Sequence, residues 1–98
     1  MGLRPSQVLS QNRELIRRIV FSHRSSNPRI FGSVLQGTDT EVSDLDLLID
    51  PLPGATLFDL GAIQIELEES LGVAVDVLTP KDLPMKFREQ VLHTAIPV

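Results

Sequence analysis

Apolar positions recur along this chain at two periods, and the switches between them mark its elements. Val8, Leu9, Leu15, Ile16, Ile19 and Val20 fall at roughly helical spacing, with Arg13, Arg17 and Arg18 mostly on the other side. Pro5-Ser6 opens this helix with Ser6 as its N-cap. It ends near His23 to Ser26, ahead of Asn27-Pro28, because the residue before proline avoids the α region. Arg29 to Phe31 then reads as a short strand running into Gly32-Ser33, and Gly37 to Thr40 as a polar loop. Leu45 to Ile49 is the next strand, stopped by Asp50-Pro51-Leu52-Pro53-Gly54. Thr56 and Asp59 resemble a capping box. The helix they open carries the stripe Leu57, Leu60, Ile63, Leu67 and Leu71 and ends at Gly72. Val73 to Leu78 is a third strand, Thr79-Pro80 a cap followed by a first-turn proline, and Met85 to about Thr94 a last amphipathic helix. The order predicts an α/β (α+β) fold, a small mixed sheet flanked by helices, as a single domain over residues 1–98.

Composition narrows the class. An apolar fraction of 42% argues against disorder. Without cysteine there is neither a disulfide framework nor a thiolate metal site, which is compatible with a reducing, cytoplasmic setting. No stretch resembles a signal peptide or reaches the roughly 20 apolar residues that span a bilayer, so no membrane partner is expected. All four aromatic residues are Phe. With no basic–aromatic platform for single strands, direct nucleic-acid binding is not expected.

The net charge of −4 is unevenly spread. Met1 to Ile30 holds six basic residues and one acid, whereas Phe31 to Asp76 holds ten acids and no base. That middle field repels phosphate, and an anion would bind there only with cations to invert the sign. Asp44 and Asp46 are two apart, so on a strand they share a face while Leu45, Leu47 and Ile49 point the other way. Asp is a poor strand former, and two on one face repel unless a cation lies between them. Oxygen-only ligands suit Mg²⁺ or Mn²⁺ rather than zinc. Asp76 interrupts an otherwise apolar strand and would join them if the two strands pair. Three carboxylates would then hold two metals about 3.5–4 Å apart, as used for in-line displacement at phosphorus. Taken alone, the pattern also suits a solvated strand face with Asp76 paired to an arginine. The spacing from Gly32-Ser33 favours the site, because small residues there let backbone N–H groups approach phosphate and a following helical turn faces the anion.

Gly32-Ser33, the ten residues Val34 to Ser43, and Asp44-Leu45-Asp46 resemble the GSx₁₀DxD signature of the DNA polymerase β-like nucleotidyltransferases. Within that superfamily the chain resembles the minimal nucleotidyltransferases, the MntA-like antitoxins of HEPN/MNT toxin–antitoxin systems. The likeness runs from Phe31 to Val98, through Pro53 to Leu57, Val75 to Leu83 and Ala95 to Pro97, and only loosely includes the first helix. It implies a Mg²⁺-dependent transferase, with two ions and Mn²⁺ as a substitute, that uses ATP as substrate. Its partner would be a HEPN-domain ribonuclease toxin, neutralised by AMP transfer to a tyrosine hydroxyl and by binding. By motif position, Asp44 and Asp46 would hold both metals. Asp76 would hold the catalytic metal and help deprotonate the acceptor. Gly32 and Ser33 would hold the β,γ-phosphates, with Gln36 and Ser43 beside them.

Gln36 departs from the family, which commonly has Arg before the loop glycine; Gln keeps hydrogen bonding but loses the charge. Arg29 is a candidate to replace it. The departure admits a second reading, a weak enzyme that masks the toxin as a binding module. Nucleotide transfer to a small molecule is a third, which would need a second domain or a dimer to enclose the acceptor. With three strands and the helices placed, no residues remain for such a domain, so the acceptor surface is expected on another protein. Met85, Phe87, Val91 and Leu92, with Ala95 to Val98, read mainly as core packing and secondarily as part of that contact. His23 and His93 read as residues of helix C-termini, and the Arg13, Arg17, Arg18, Arg24 cluster as a solvated face.

Overall fold

The computed structural model describes residues 2–98. Its elements are α1 (Pro5–Gln11), α2 (Arg13–Ser22), β1 (Ser25–Phe31), α3 (Gly32–Gln36), β2 (Leu45–Pro51), α4 (Leu57–Leu71), β3 (Val75–Leu78), a 3₁₀ turn (Pro80–Asp82), α5 (Met85–Thr94) and β4 (Ile96–Pro97). The strands form one sheet in the order β3-β2-β1-β4. β1 runs antiparallel to β2 and β4, whereas β2 and β3 are parallel, which requires the crossover that α4 supplies.

β2 is the centre of the core. Leu45, Leu47 and Ile49 alternate onto one face and are fully buried against Ile16, Ile19 and Val20 of α2 and Ile63 and Leu67 of α4. Thr56 donates its N–H to Asp59 at 2.8 Å, forming the expected capping box. Gly72 ends α4 with φ +71° and donates to the Glu68 carbonyl at 2.9 Å. Leu60 and Leu71 pack against the core as the stripe predicts. Leu57 does not; it is 83% exposed, because it lies roughly 100° around the helix from Ile63 and Leu67.

Five expectations about element boundaries change. The single N-terminal helix is two helices, broken at Asn12. Asn12 gives its side-chain amide to the Val8 carbonyl at 2.9 Å while its own N–H turns to Leu9 at 3.1 Å. This is the side-chain competition by which Asn interrupts helices. The N-cap of α1 is Arg4, with Pro5 in the first turn, rather than Ser6. β1 starts earlier than Arg29, at Ser25, because a bulge between Ser26 and Arg29 absorbs Asn27-Pro28. β2 likewise outlasts its turn signal and pairs as far as Pro51, opposite Ser25, whereas β3 begins only at Val75.

The C-terminal region differs most. Ile96 and Pro97 form an edge strand opposite Ile30 and Arg29, a pairing too short for any sequence period to reveal. Val98 is buried and donates its N–H to Pro28 at 2.9 Å. α5, expected to pack against the sheet, contains no buried residue. Among the described residues no helix is long and apolar enough to cross a membrane.

Candidate active site

The sheet register aligns the motif residues across three strands. Asp46 of β2 stands opposite Phe31, the last residue of β1, and on its other side opposite Asp76 of β3. β1 therefore delivers Gly32 directly beside Asp46, while Asp44 lies one residue ahead of β2. Gly32 has φ +72°, and a Cβ added to it would collide with the Asp46 carboxylate. Glycine is thus required twice here, by backbone conformation and by the approach of the acid. Ser33 follows in α3. Its carbonyl accepts the Thr38 N–H at 3.0 Å, and Gly37, with φ +74°, reverses the chain toward β2.

Asp46 is half-buried, whereas Asp44 and Asp76 are exposed. Burial, then the negative charges of Asp76 and Asp44, push the Asp46 carboxyl up to about 6. Asp76 neither suffers the burial that its apolar neighbours imply nor pairs with an arginine. The ion pairs among the described residues are Arg29–Asp50 at 2.6 Å and His23–Glu66 at 2.9 Å. Arg29 is also turned to the Asn27 carbonyl at 3.1 Å, so it is committed away from the charge position that Gln36 leaves open. Among the described residues no three acidic or histidine side chains already converge as a metal cage. Like charges splay, and these three act on one another through their field. An oxygen-only cluster that raises its own central carboxyl, with no base against it among the described residues, fits a hard divalent cation.

Ser43 and Gln36 take different places from the aspartates. The Ser43 hydroxyl accepts the Thr40 N–H at 2.9 Å, so it shapes the turn leading to Asp44. Gln36 ends α3 and lines a cleft between α3 and α5 that also includes Gly32. A larger depression of about 750 Å³ lies at Gly2–Arg4 and Asp39–Val42 and contains none of the three aspartates.

Asp39 carries a role that sequence reasoning missed. It is 5% exposed and accepts the Ser6 N–H at the start of α1 at 2.8 Å. Burial pushes its carboxyl up, but bonds from the Ser6 backbone and hydroxyl, its own N–H and the charge of Arg4 outweigh this and hold it below the usual value. A lone Asp in a polar loop offers no periodic signal of burial; only the fold brings α1 onto it.

The fold thus groups an acid pair, a third acid in register and a glycine turn at the end of a strand. The family comparison agrees. Residues 28–98 match the Polymerase beta, Nucleotidyltransferase family, and the chain belongs to it. Over 80 residues it is 36% identical to a candidate protein adenylyltransferase of Methanocaldococcus jannaschii, MJ0435, covering 82% of this chain and 86% of that one. A second candidate protein adenylyltransferase of that organism, MJ0126, is 28% identical over 81 residues, covering 79% and 83%. The fold superposes on a solved candidate minimal nucleotidyltransferase with TM-score 0.85 and 39% identity, covering 100% of this chain and 97% of that one. A toxin–antitoxin complex with AMP-PNP shares the fold at TM-score 0.73 and 19% identity, covering 88% and 71%.

Proposed function

We propose that this protein transfers AMP from ATP to a tyrosine hydroxyl of a partner HEPN ribonuclease toxin, and so neutralises it. The observation that carries the reading is the row Phe31-Gly32, Asp46, Asp76 across β1, β2 and β3, with Asp44 adding its charge to Asp46. The protein-adenylyltransferase names of the relatives support a protein acceptor, and the toxin–antitoxin neighbours of the fold support a toxin as that protein.

In this reading Asp44, Asp46 and Asp76 are the residues that would hold the Mg²⁺ ions. When bound, the cations neutralise charge on the phosphates and lower the pKa of a coordinated hydroxyl. Gly32 and Ser33 hold the β,γ-phosphates, and Gln36 and Ser43 border them. The tyrosine oxygen forms a bond to the α-phosphorus as the bond from that phosphorus to the β-bridging oxygen breaks. Pyrophosphate departs on the Gly32-Ser33 side, and the phenolic proton passes toward the exposed Asp76 carboxylate. The test is the intact mass of the cognate toxin after incubation with this protein, ATP and Mg²⁺. Mass increments of whole AMP units are expected, reduced at least about 10²-fold in rate by Asp46→Asn. An unmodified toxin across Mg²⁺ and Mn²⁺ overturns the reading.

Gln36, with Arg29 committed to Asp50, favours one alternative: a binding module that masks the toxin with little catalysis. It predicts that Asp46→Asn still neutralises the toxin in cells; returning toxicity rejects it.

A further inference from the structure

α4 is apolar on two sides. Ile63 and Leu67 are fully buried against the sheet. Phe58 and Ile65 lie roughly 140–180° around the helix from them and are 89% and 57% exposed. A helix apolar on both sides is ordinarily covered on both. This outer stripe lies away from the acids, because α4 packs on the Leu45, Leu47 and Ile49 face of β2 and Asp46 alternates to the opposite face. A protein whose hydroxyl must reach Asp46 and Asp76 approaches from that opposite face.

Gly61 lies between the two exposed side chains. It needs no left-handed backbone, and a Cβ placed on it would meet nothing within 4 Å. Glycine inside a helix weakens it, so nothing within the chain accounts for this residue. A small residue on an exposed helix face lets a second helix approach closely. The stripe also reads nearly the same in both directions: Phe58, Gly61, Ala62 and Ile65 run large, small, small, large. A two-fold axis midway between Gly61 and Ala62 sets Phe58 of one α4 over Ile65 of an antiparallel copy, and Gly61 over Ala62. That is the self-complementarity an isologous contact needs.

Charge follows the same axis. Glu69 lies one turn beyond Ile65 on this side of α4, and the axis carries it to the level of Gly54 in the other copy. There the Arg24 side chain donates to the Gly54 carbonyl at 3.2 Å. Arg24 and Glu69 are exposed, and neither has an ion-pair partner among the described residues. Each copy therefore offers a cation at one end of the stripe and an anion at the other. An antiparallel pair joins opposite charges at both ends, whereas a parallel pair sets like charges together.

We propose that the outer face of α4 pairs antiparallel with the same face of a second copy, as a two-fold dimer whose acidic rows both face outward. Sedimentation equilibrium of the full chain, without nucleotide, metal or toxin, tests this independently of AMP transfer. Wild type should show a monomer–dimer equilibrium between about 1 µM and 1 mM. Phe58→Asp should weaken the dimer at least about tenfold. Its thermal midpoint as dilute monomer should not fall, since the ring meets solvent and Asp suits a helix N-terminus. Gly61→Gln should weaken the dimer about tenfold while raising the midpoint of the monomer, a split that a glycine required by the monomer's own fold would reverse. Arg24→Glu and Glu69→Lys should each weaken the dimer about 3- to 10-fold, and the double reversal should restore it.

Three results overturn the inference. A wild type that stays monomeric up to about 1 mM leaves the face to a different protein. A dimer that survives both Phe58→Asp and Gly61→Gln uses another surface. Charge reversals that add, with no recovery in the double variant, reject the antiparallel register.

Discussion

Asp39 and Asp46 lie in the same stretch of chain, yet their surroundings push them in opposite directions. Asp39, in the loop before β2, is more deeply buried, but the Ser6 N–H at the start of α1 meets its carboxylate and the charged form is favoured. Asp46, in the middle of the sheet, is only half-buried, but it faces the charges of Asp76 and Asp44 with no donor or base to answer them among the described residues. Burial alone therefore does not set the direction in which a carboxyl shifts; partnership does. A carboxylate whose hydrogen bonds are met holds the fold together. One left unmet beside two others is the arrangement that the proposed function assigns to a metal-holding acid.

Five substitutions sharpen or break this contrast when stability is measured by denaturant and thermal unfolding of the metal-free protein. Leu47→Ala sets the scale, since Leu47 is fully buried on the face of β2 opposite Asp46; a loss of about 2–5 kcal/mol is expected. Gly32→Ala should cost about 2–4 kcal/mol, combining a positive φ with overpacking against the Asp46 carboxylate. Adding Asp46→Ala should recover part of that loss, and strict additivity would show that the two residues do not press on each other.

Asp39→Ala comes next. It strands the Ser6 N–H and should cost about 1–3 kcal/mol near neutral pH. Because the folded carboxyl lies below its unfolded value, its contribution is present above about pH 4 and is lost as pH falls through the folded pKa. Asp46→Asn has the smallest expected effect and the opposite sign. The folded carboxyl titrates at about 6. Stability associated with its protonated form is therefore complete below the unfolded value near 3.9 and is lost as pH rises through about 6. The variant should accordingly gain about 1–2 kcal/mol at pH 7.5, allowing for solvent screening, and about nothing at pH 4. Mg²⁺ should stabilise wild type and not the variant. A destabilised Asp46→Asn would place Asp46 with Asp39 among the structural acids.

Much of the candidate site's layout was legible in one dimension because its spacing is local. Gly32-Ser33 and Asp44-x-Asp46 are joined by a single loop, and a two-residue spacing on a strand sets which side chains share a face whatever surrounds them. The capping box at Thr56 and Asp59 and the glycine end of α4 were legible for the same reason. Asn12 was not, because helical periodicity continues across it while its side chain takes over one backbone acceptor. Arg29, by sequence a candidate cation for the phosphates, lies within reach of Asp50 only once β1 and β2 are paired.

What the sequence by itself determined is therefore the inventory and its order: the turn, the acid pair, the third acid, the core stripes and the family. Tertiary structure decided adjacency. It set Asp76 and Phe31 on either side of Asp46, gave Asp39 to α1, and left α5 standing off the core with a cleft beneath it. The division follows from the physics. Backbone periodicity and turn preference act between near neighbours. A carboxyl's charge state and a cleft's openness depend on residues that only pairing and packing bring together.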